Sequence, residues 1–85
     1  MLVAFTPTAW EHYIYWQNID KKVLKRINEL IKDSSRNPFE GIVKPESLKH
    51  DLKGYWSRRI TDEHRLVYTV KDEALIIIAC KLHYK

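Results

Sequence analysis

Midway along this chain the spacing of apolar residues changes, and the change dictates two kinds of structure in a fixed order. In the first half Val23, Leu24, Ile27, Leu30 and Ile31 recur at steps of three and four, the core stripe of an amphipathic helix. After about residue 46 the period falls to two, as in strands with one face buried. The last apolar stretch, Ala74-Leu75-Ile76-Ile77-Ile78-Ala79-Cys80, is rich in branched aliphatics and reads as a buried strand.

Local signals divide the two halves into elements. Leu2 to Phe5 is a short β-prone run that Pro7 stops. Thr8 and Glu11 fit a capping box, opening a first helix that runs to about Gln17, with Trp10, Tyr13, Ile14 and Gln17 on one side. Asp20 caps a longer helix whose outer face carries Lys21, Lys22, Lys25, Arg26, Glu29 and Lys32. That helix ends before Pro38, because proline disfavours helical geometry in the residue preceding it. Phe39 to Glu46 is an irregular loop, Ser47 to Leu52 a short strand, and Gly54 a turn. Strands follow over Tyr55 to Ile60, His64 to Val70 and Ala74 to Tyr84. Short links between successive strands imply antiparallel pairing. The expected fold is α+β: two N-terminal helices packed on one face of a mostly antiparallel sheet, the other face open. With no linker or repeat, residues 1–85 form one domain.

Composition narrows the partners. Lys+Arg 15 against Asp+Glu 11 gives a net charge of +4, which suits an anionic partner. One cysteine excludes an intramolecular disulfide, and Cys80 lies in the most apolar stretch, where an inert core thiol is expected. The start has no basic region and is too short for a signal or membrane-spanning segment, so a cytoplasmic protein without a membrane partner is expected.

Alternation sorts the strand residues into two sets. Trp56, Arg58 and Ile60, with Leu66, Tyr68 and Val70, form a largely apolar set suited to the helices. The opposite set becomes polar and basic toward one end: Ser57, Arg59, Arg65, Lys81 and His83. An RNA phosphodiester can be cut by groups of these types. A base takes the 2′-hydroxyl proton, cations stabilise the phosphorane, and an acid protonates the departing 5′-oxygen. Glu46, Lys49, Arg59, Arg65 and His83 offer a carboxylate, an ammonium, two guanidinium groups and an imidazole. Each has an ordinary alternative. Glu46 follows Pro45 in a loop, where a solvated carboxylate is the default, and Arg58 and Arg59 read equally as strand-face charges. Arg65 can pair with Glu63 or Asp62 across the turn. His64 shares a side with Leu66 and Tyr68 and reads as structural, His12 as helix surface, His50 as loop or edge strand. Trp10, Tyr13, Tyr15, Trp16 and Trp56 read as core or interface rather than base-stacking platforms. No spacing matches a zinc site, a glycine-rich phosphate loop or a serine nucleophile elbow, so no metal or cofactor is expected.

Nearly the whole chain resembles the YoeB toxins, within the RelE-like superfamily of bacterial type II toxin–antitoxin systems. The resemblance runs through Tyr15-Trp16-Gln17, Lys25 to Asp33, Pro38-Phe39-Glu40-Gly41, Lys44-Pro45-Glu46 and Leu48-Lys49-His50. It continues through Trp56-Ser57-Arg58-Arg59-Ile60-Thr61 and Glu63 to Tyr68, and closes on His83-Tyr84. Leu2 to Ala9 matches less closely, and Lys85 follows the tyrosine at which many relatives end. The resemblance implies a microbial-ribonuclease-like fold and a ribosome-dependent mRNA interferase acting on the A-site codon in the 70S ribosome. It implies Glu46 as general base, His83 as general acid, Arg65 on the transition-state phosphate, Lys49 and Arg59 on the RNA backbone, and Tyr84 orienting substrate. A YefM-type antitoxin and a homodimer are the further partners it implies. The alternative is a catalytically inactive toxin-like module that still binds antitoxin or ribosome. A DNA-binding role is weak, because no helix-turn-helix pattern joins the two helices.

Overall fold

The structure, a computed structural model, describes residues 1–82. Strand β1 (Leu2–Phe5) leads directly into helix α1 (Pro7–Ile19), and α2 (Lys21–Arg36) follows after one residue. The remainder is β2 (Glu46–Ser47), a short 3-10 turn (His50–Leu52), β3 (Trp56–Arg59), β4 (Arg65–Lys71) and β5 (Ala74–Ala79).

The helix boundaries follow from capping chemistry. Thr6, not the expected Thr8, caps α1: its hydroxyl oxygen accepts from Ala9 N at 3.2 Å. Pro7 both ends β1 and occupies the first helical turn, where its missing N–H costs nothing. Asp20, in extended conformation at φ −150°, serves two helices at once. Its N–H closes α1 on Trp16 O at 3.0 Å, and its Oδ1 accepts from Lys22 N and Val23 N at 3.0 and 3.2 Å. That cap lies where the sequence expected it, although α1 runs to Ile19 rather than Gln17.

The five-stranded sheet has the order β1-β5-β4-β3-β2. Strands β2 to β5 pair antiparallel in sequence, whereas β1 pairs parallel with β5, making the sheet mixed. The β4–β5 hairpin turns on Asp72 and Glu73, both at positive φ (51° and 62°), as a tight two-residue turn requires. Four strand assignments change, that of β4 by one residue at each end. Of the expected strand Ser47 to Leu52 only Ser47 lies in β2, joined by Glu46 from the expected loop, and His50–Leu52 form the 3-10 turn, with His50 itself at φ 59°. Strand β5 stops at Ala79 instead of continuing to Tyr84, and β3 is shorter than expected at both ends.

The core lies between the helices and one sheet face. Ile27 and Leu30 of α2 and Trp16 and Ala9 of α1 pack with Leu66, Tyr68, Leu75, Ile77 and Cys80. Ile27 and Leu30 are fully buried, each contributing about 1.5–3 kcal/mol of burial free energy. Burial pushes the Cys80 thiol up to about 12, in keeping with an inert core residue.

The helix-facing side also holds a charge. Arg58, 1% exposed, is not an ordinary strand-face cation. Its Nη1 donates to Asp33 Oδ2 of α2 at 2.5 Å and to Ile42 O at 2.9 Å. Its Nη2 donates to Asn37 O and Glu40 O, and its Nε to Tyr68 Oη at 3.1 Å. The Tyr68 hydroxyl in turn donates to Pro38 O at 2.5 Å. Loop 37–42 is thus clasped onto the sheet, and its carbonyls at Asn37, Pro38, Glu40 and Ile42 are satisfied. Gly41 passes at φ 110°, and a Cβ there would run into the Asp33 carboxylate.

Candidate functional site

The clasped loop delivers the chain to β2, where Glu46 begins to pair. Cross-strand register then decides which charged residues meet. Glu46 lies opposite Ser57, Ser57 opposite Val67, and Arg59 opposite Arg65. Directly opposed residues in antiparallel strands point to the same face, as do residues two apart on one strand. Glu46, Ser57, Arg59, Arg65 and Val67 therefore share the face turned away from the helices. Between β2 and β4 lies one strand, a backbone separation of about 10 Å, which glutamate and arginine side chains can bridge from both sides.

This face is not bare. Ser57, Val67 and Ala79, in one row across β3, β4 and β5, are all buried, whereas Glu46 and Arg59 are exposed and Arg65 half-buried. Short side chains form a floor, with charged ones beside it. A register shift between Val67 and Tyr68 lets Val67 face Ala79 while Tyr68 faces Ile77, so both faces keep their buried rows.

The two site arginines are held differently. Arg59 meets Asp62 at 3.7 Å, with its side chain 60% exposed, a pairing that water weakens to about 0–1 kcal/mol. Arg65 is held by the backbone of the turn. Its Nη1 donates to the carbonyls of Thr61 (2.7 Å), His64 (3.1 Å) and Asp62 (3.3 Å). The turn is braced by Thr61 Oγ1, which accepts from Glu63 N and His64 N, both at 3.2 Å. Among the described residues all its side-chain hydrogen bonds run through Nη1, which fixes the guanidinium by one corner. Lys49 is exposed and precedes the 3-10 turn, outside strand pairing, so register does not set its side of the sheet.

The strand end nearest Arg65 also receives the end of the described chain. Leu82 O accepts from Arg65 N at 3.1 Å, and Leu82 N donates to His64 Nδ1 at 2.8 Å. His64 is structural, as its side of the strand suggested, with its ring edge-on to Trp16. His83 and Tyr84, the expected acid and orienting residue, lie outside the described residues, as does Lys85. Lys81 departs from expectation: its ammonium lies 3.9 Å from the Tyr15 ring centroid, on α1, rather than joining the basic set. His12 departs as well. It is half-buried, and its Nδ1 accepts from Cys80 N at 3.1 Å. Arg58 was the residue whose importance the sequence understated, although alternation had already placed it with Trp56 and Ile60 against the helices.

A hollow of about 640 Å³ lies between Met1, Leu2, Val70, Asp72 and Glu73, at the far end of β4 from Arg65. None of the described candidate residues lines it. Among the described residues no helix is long and apolar enough to cross a membrane.

The chain has close relatives. It is 58% identical to the toxin YoeB of Escherichia coli K12 over 84 residues, covering 99% of this chain and all of the relative. A solved YoeB/ParE toxin from Agrobacterium tumefaciens superposes with a TM-score of 0.96 at 46% identity, covering 99% of this chain and 100% of the other. YoeB of Staphylococcus aureus has been solved in complex with YefM (TM-score 0.89, 55% identity, 99% of each chain) and as a dimer (TM-score 0.90, 55% identity, 99% and 98%). The family model described as the YoeB-like toxin of bacterial type II toxin–antitoxin systems matches residues 5–84, and the chain belongs to that family.

Proposed function

We propose that this chain is a ribosome-dependent mRNA endoribonuclease that cuts the codon in the ribosomal A site and so inhibits translation. The observation that carries the reading is the register that sets Glu46, Arg59 and Arg65 on one face of the sheet, away from the helices. Family membership supports the same reading. The Glu46 carboxylate takes the proton of the 2′-hydroxyl, and the 2′-oxygen attacks the adjacent phosphorus. Arg65, anchored by one corner to the turn carbonyls, offers its remaining donors to the negative phosphorane without reorganising. Arg59, held among the described residues by a long exposed pair, exchanges Asp62 for a backbone phosphate, and Lys49 assists it. As the bond from phosphorus to the 5′-oxygen breaks, His83 protonates that oxygen, while Tyr84 orients the substrate. The products are a 2′,3′-cyclic phosphate, or the 3′-phosphate formed from it, and a 5′-hydroxyl.

A YefM-type antitoxin is the proposed partner, since the S. aureus relative has been solved in a YoeB-YefM complex. A homodimer is proposed on the S. aureus YoeB dimer, and a cytoplasmic site of action on the location of ribosomes. The test maps mRNA ends after the protein is added to programmed ribosomes. Cleavage within the A-site codon, leaving cyclic or 3′-phosphate ends beside 5′-hydroxyls, is expected. Intact message from protein that still binds antitoxin would replace this reading with that of a binding module.

A further inference from the structure

The segment after β5 is tied down more closely than a strand end needs. Cys80 N donates to His12 Nδ1 at 3.1 Å, and Cys80 O accepts from Trp16 Nε1 at 2.8 Å. Two residues on, Leu82 N donates to His64 Nδ1 at 2.8 Å, and Leu82 O accepts from Arg65 N at 3.1 Å. Between them Lys81 lies over Tyr15. Leu82 itself has φ 65°, a left-handed conformation that leucine adopts only where its surroundings enforce it. Here the enforcement is the pair of hydrogen bonds made by the N–H and carbonyl of that residue.

A peptide N–H can only donate, so each imidazole that accepts from one presents a bare Nδ1 and carries its proton on Nε2. Both rings must be neutral. Protonation would turn each acceptor into a donor facing a donor and break the bond. The surroundings of His12 favour the neutral ring: burial and then the Lys81 ammonium hold it below the ordinary imidazole value, against an opposing pull from Glu11. Beside His64, among the described residues, lie Arg65, which donates to the His64 carbonyl, and its chain neighbour Glu63, while α1 presents the uncharged Trp16.

We infer that His12 and His64 are positioning residues, two neutral imidazoles that anchor Cys80 and Leu82 and thereby fix the origin of the His83-Tyr84 pair relative to Arg65. The consequence for cleavage rests on the proposed role of His83 as acid. It creates opposed demands: His83 must carry a proton while His12 and His64 must not. Acid should therefore release the terminal segment before it unfolds the core.

NMR of the full-length free protein tests the anchoring without reference to cleavage. Imidazole nitrogen shifts should report bare Nδ1 atoms on His12 and His64 at neutral pH. As acid protonates the rings, the Cys80 and Leu82 amides should lose exchange protection while the Leu66 amide in the core stays protected, the Cys80 amide only below the ordinary imidazole range because His12 is held there. His12→Leu and His64→Leu should expose the same amides at neutral pH. His12→Asn and His64→Asn, which keep an acceptor oxygen near the place of Nδ1 but do not titrate, should restore protection and make it insensitive to acid. On programmed ribosomes the leucine variants should lose roughly tenfold to a hundredfold in kcat with KM little changed, and the asparagine variants should recover it. Protection that is unchanged in the leucine variants, or Nδ1–H on either ring, overturns the anchoring. Amides that respond as expected in a wild type that cleaves no message uphold the anchoring and overturn the nuclease reading instead.

Discussion

Arg58 and Arg59 are adjacent, chemically identical and put to opposite uses. One residue of β3 turns its guanidinium toward the helices, where all three nitrogens are bonded to protein. The next turns its guanidinium to the opposite face, where it meets only a carboxylate at 3.7 Å among the described residues. Strand alternation alone makes the difference. A buried arginine has to be fully bonded, because an unpaired charge out of water is prohibitively costly. An exposed arginine can leave its hydrogen-bonding capacity open for a partner that arrives from solution. The same sheet thus supports a fold-holding face and a face suited to an anion, one residue apart.

Breaking the first of the pair should give the largest effect on stability. Arg58→Met takes the guanidinium donor away from the carbonyls of Asn37, Glu40 and Ile42 and from the Asp33 carboxylate, which keeps the Ile42 N–H. Urea unfolding should show a loss of about 3–5 kcal/mol. Gly41→Ala should cost about 1–3 kcal/mol by the same assay, from a Cβ at φ 110° pressed against Asp33. Little change in either variant would mean that loop 37–42 is not held by the clasp.

The clasp also has a pH signature. The hydrogen bond from Arg58 holds the Asp33 carboxyl below its ordinary value of 3.8, with lesser help from Ile42 N–H. A lowered folded-state value means that the contribution is complete above the unfolded value and is lost as pH falls through the folded one. Wild type should therefore lose this part of its stability only below about pH 4, and Asp33→Asn should flatten that part of the acid limb. Equal acid limbs in the two proteins would argue against the pairing. The smallest stability effect belongs to the second arginine. Arg59→Met should shift unfolding by less than about 1 kcal/mol, yet lower cleavage roughly tenfold to a hundredfold through a lost charge-assisted phosphate contact. An Arg59 variant as unstable as Arg58→Met would erase the contrast between the two.

These particular residues also separate what the sequence discloses from what it hides. Asp20 and the α2 stripe are legible because capping and helical periodicity act within one or two turns of chain. The sides of β3 and β4 are legible because alternation is local, and it carried Arg59 and Arg65 to a common face. The parallel pairing of β1 with β5 is not, since it joins opposite ends of the chain and leaves no local trace. Arg58 was half legible: alternation set it among apolar neighbours, but the loop carbonyls that justify burying it come from residues 37–42. His12 was misread for a similar reason, because its partner is the Cys80 N–H from the far end of the chain. Thr6 was missed although Pro7 marked it, as proline prefers the first helical position and so points to the residue before it as the cap.

The most direct test of the account measures folding and cleavage on one preparation of Glu46→Ala. Glu46 is exposed on the face away from the helices, so the variant should unfold within about 1 kcal/mol of wild type. On programmed ribosomes its single-turnover cleavage of the A-site codon should fall by about a hundredfold to ten-thousandfold. Cleavage at the wild-type rate by the folded variant would contradict the assignment of this sheet face to the chemistry.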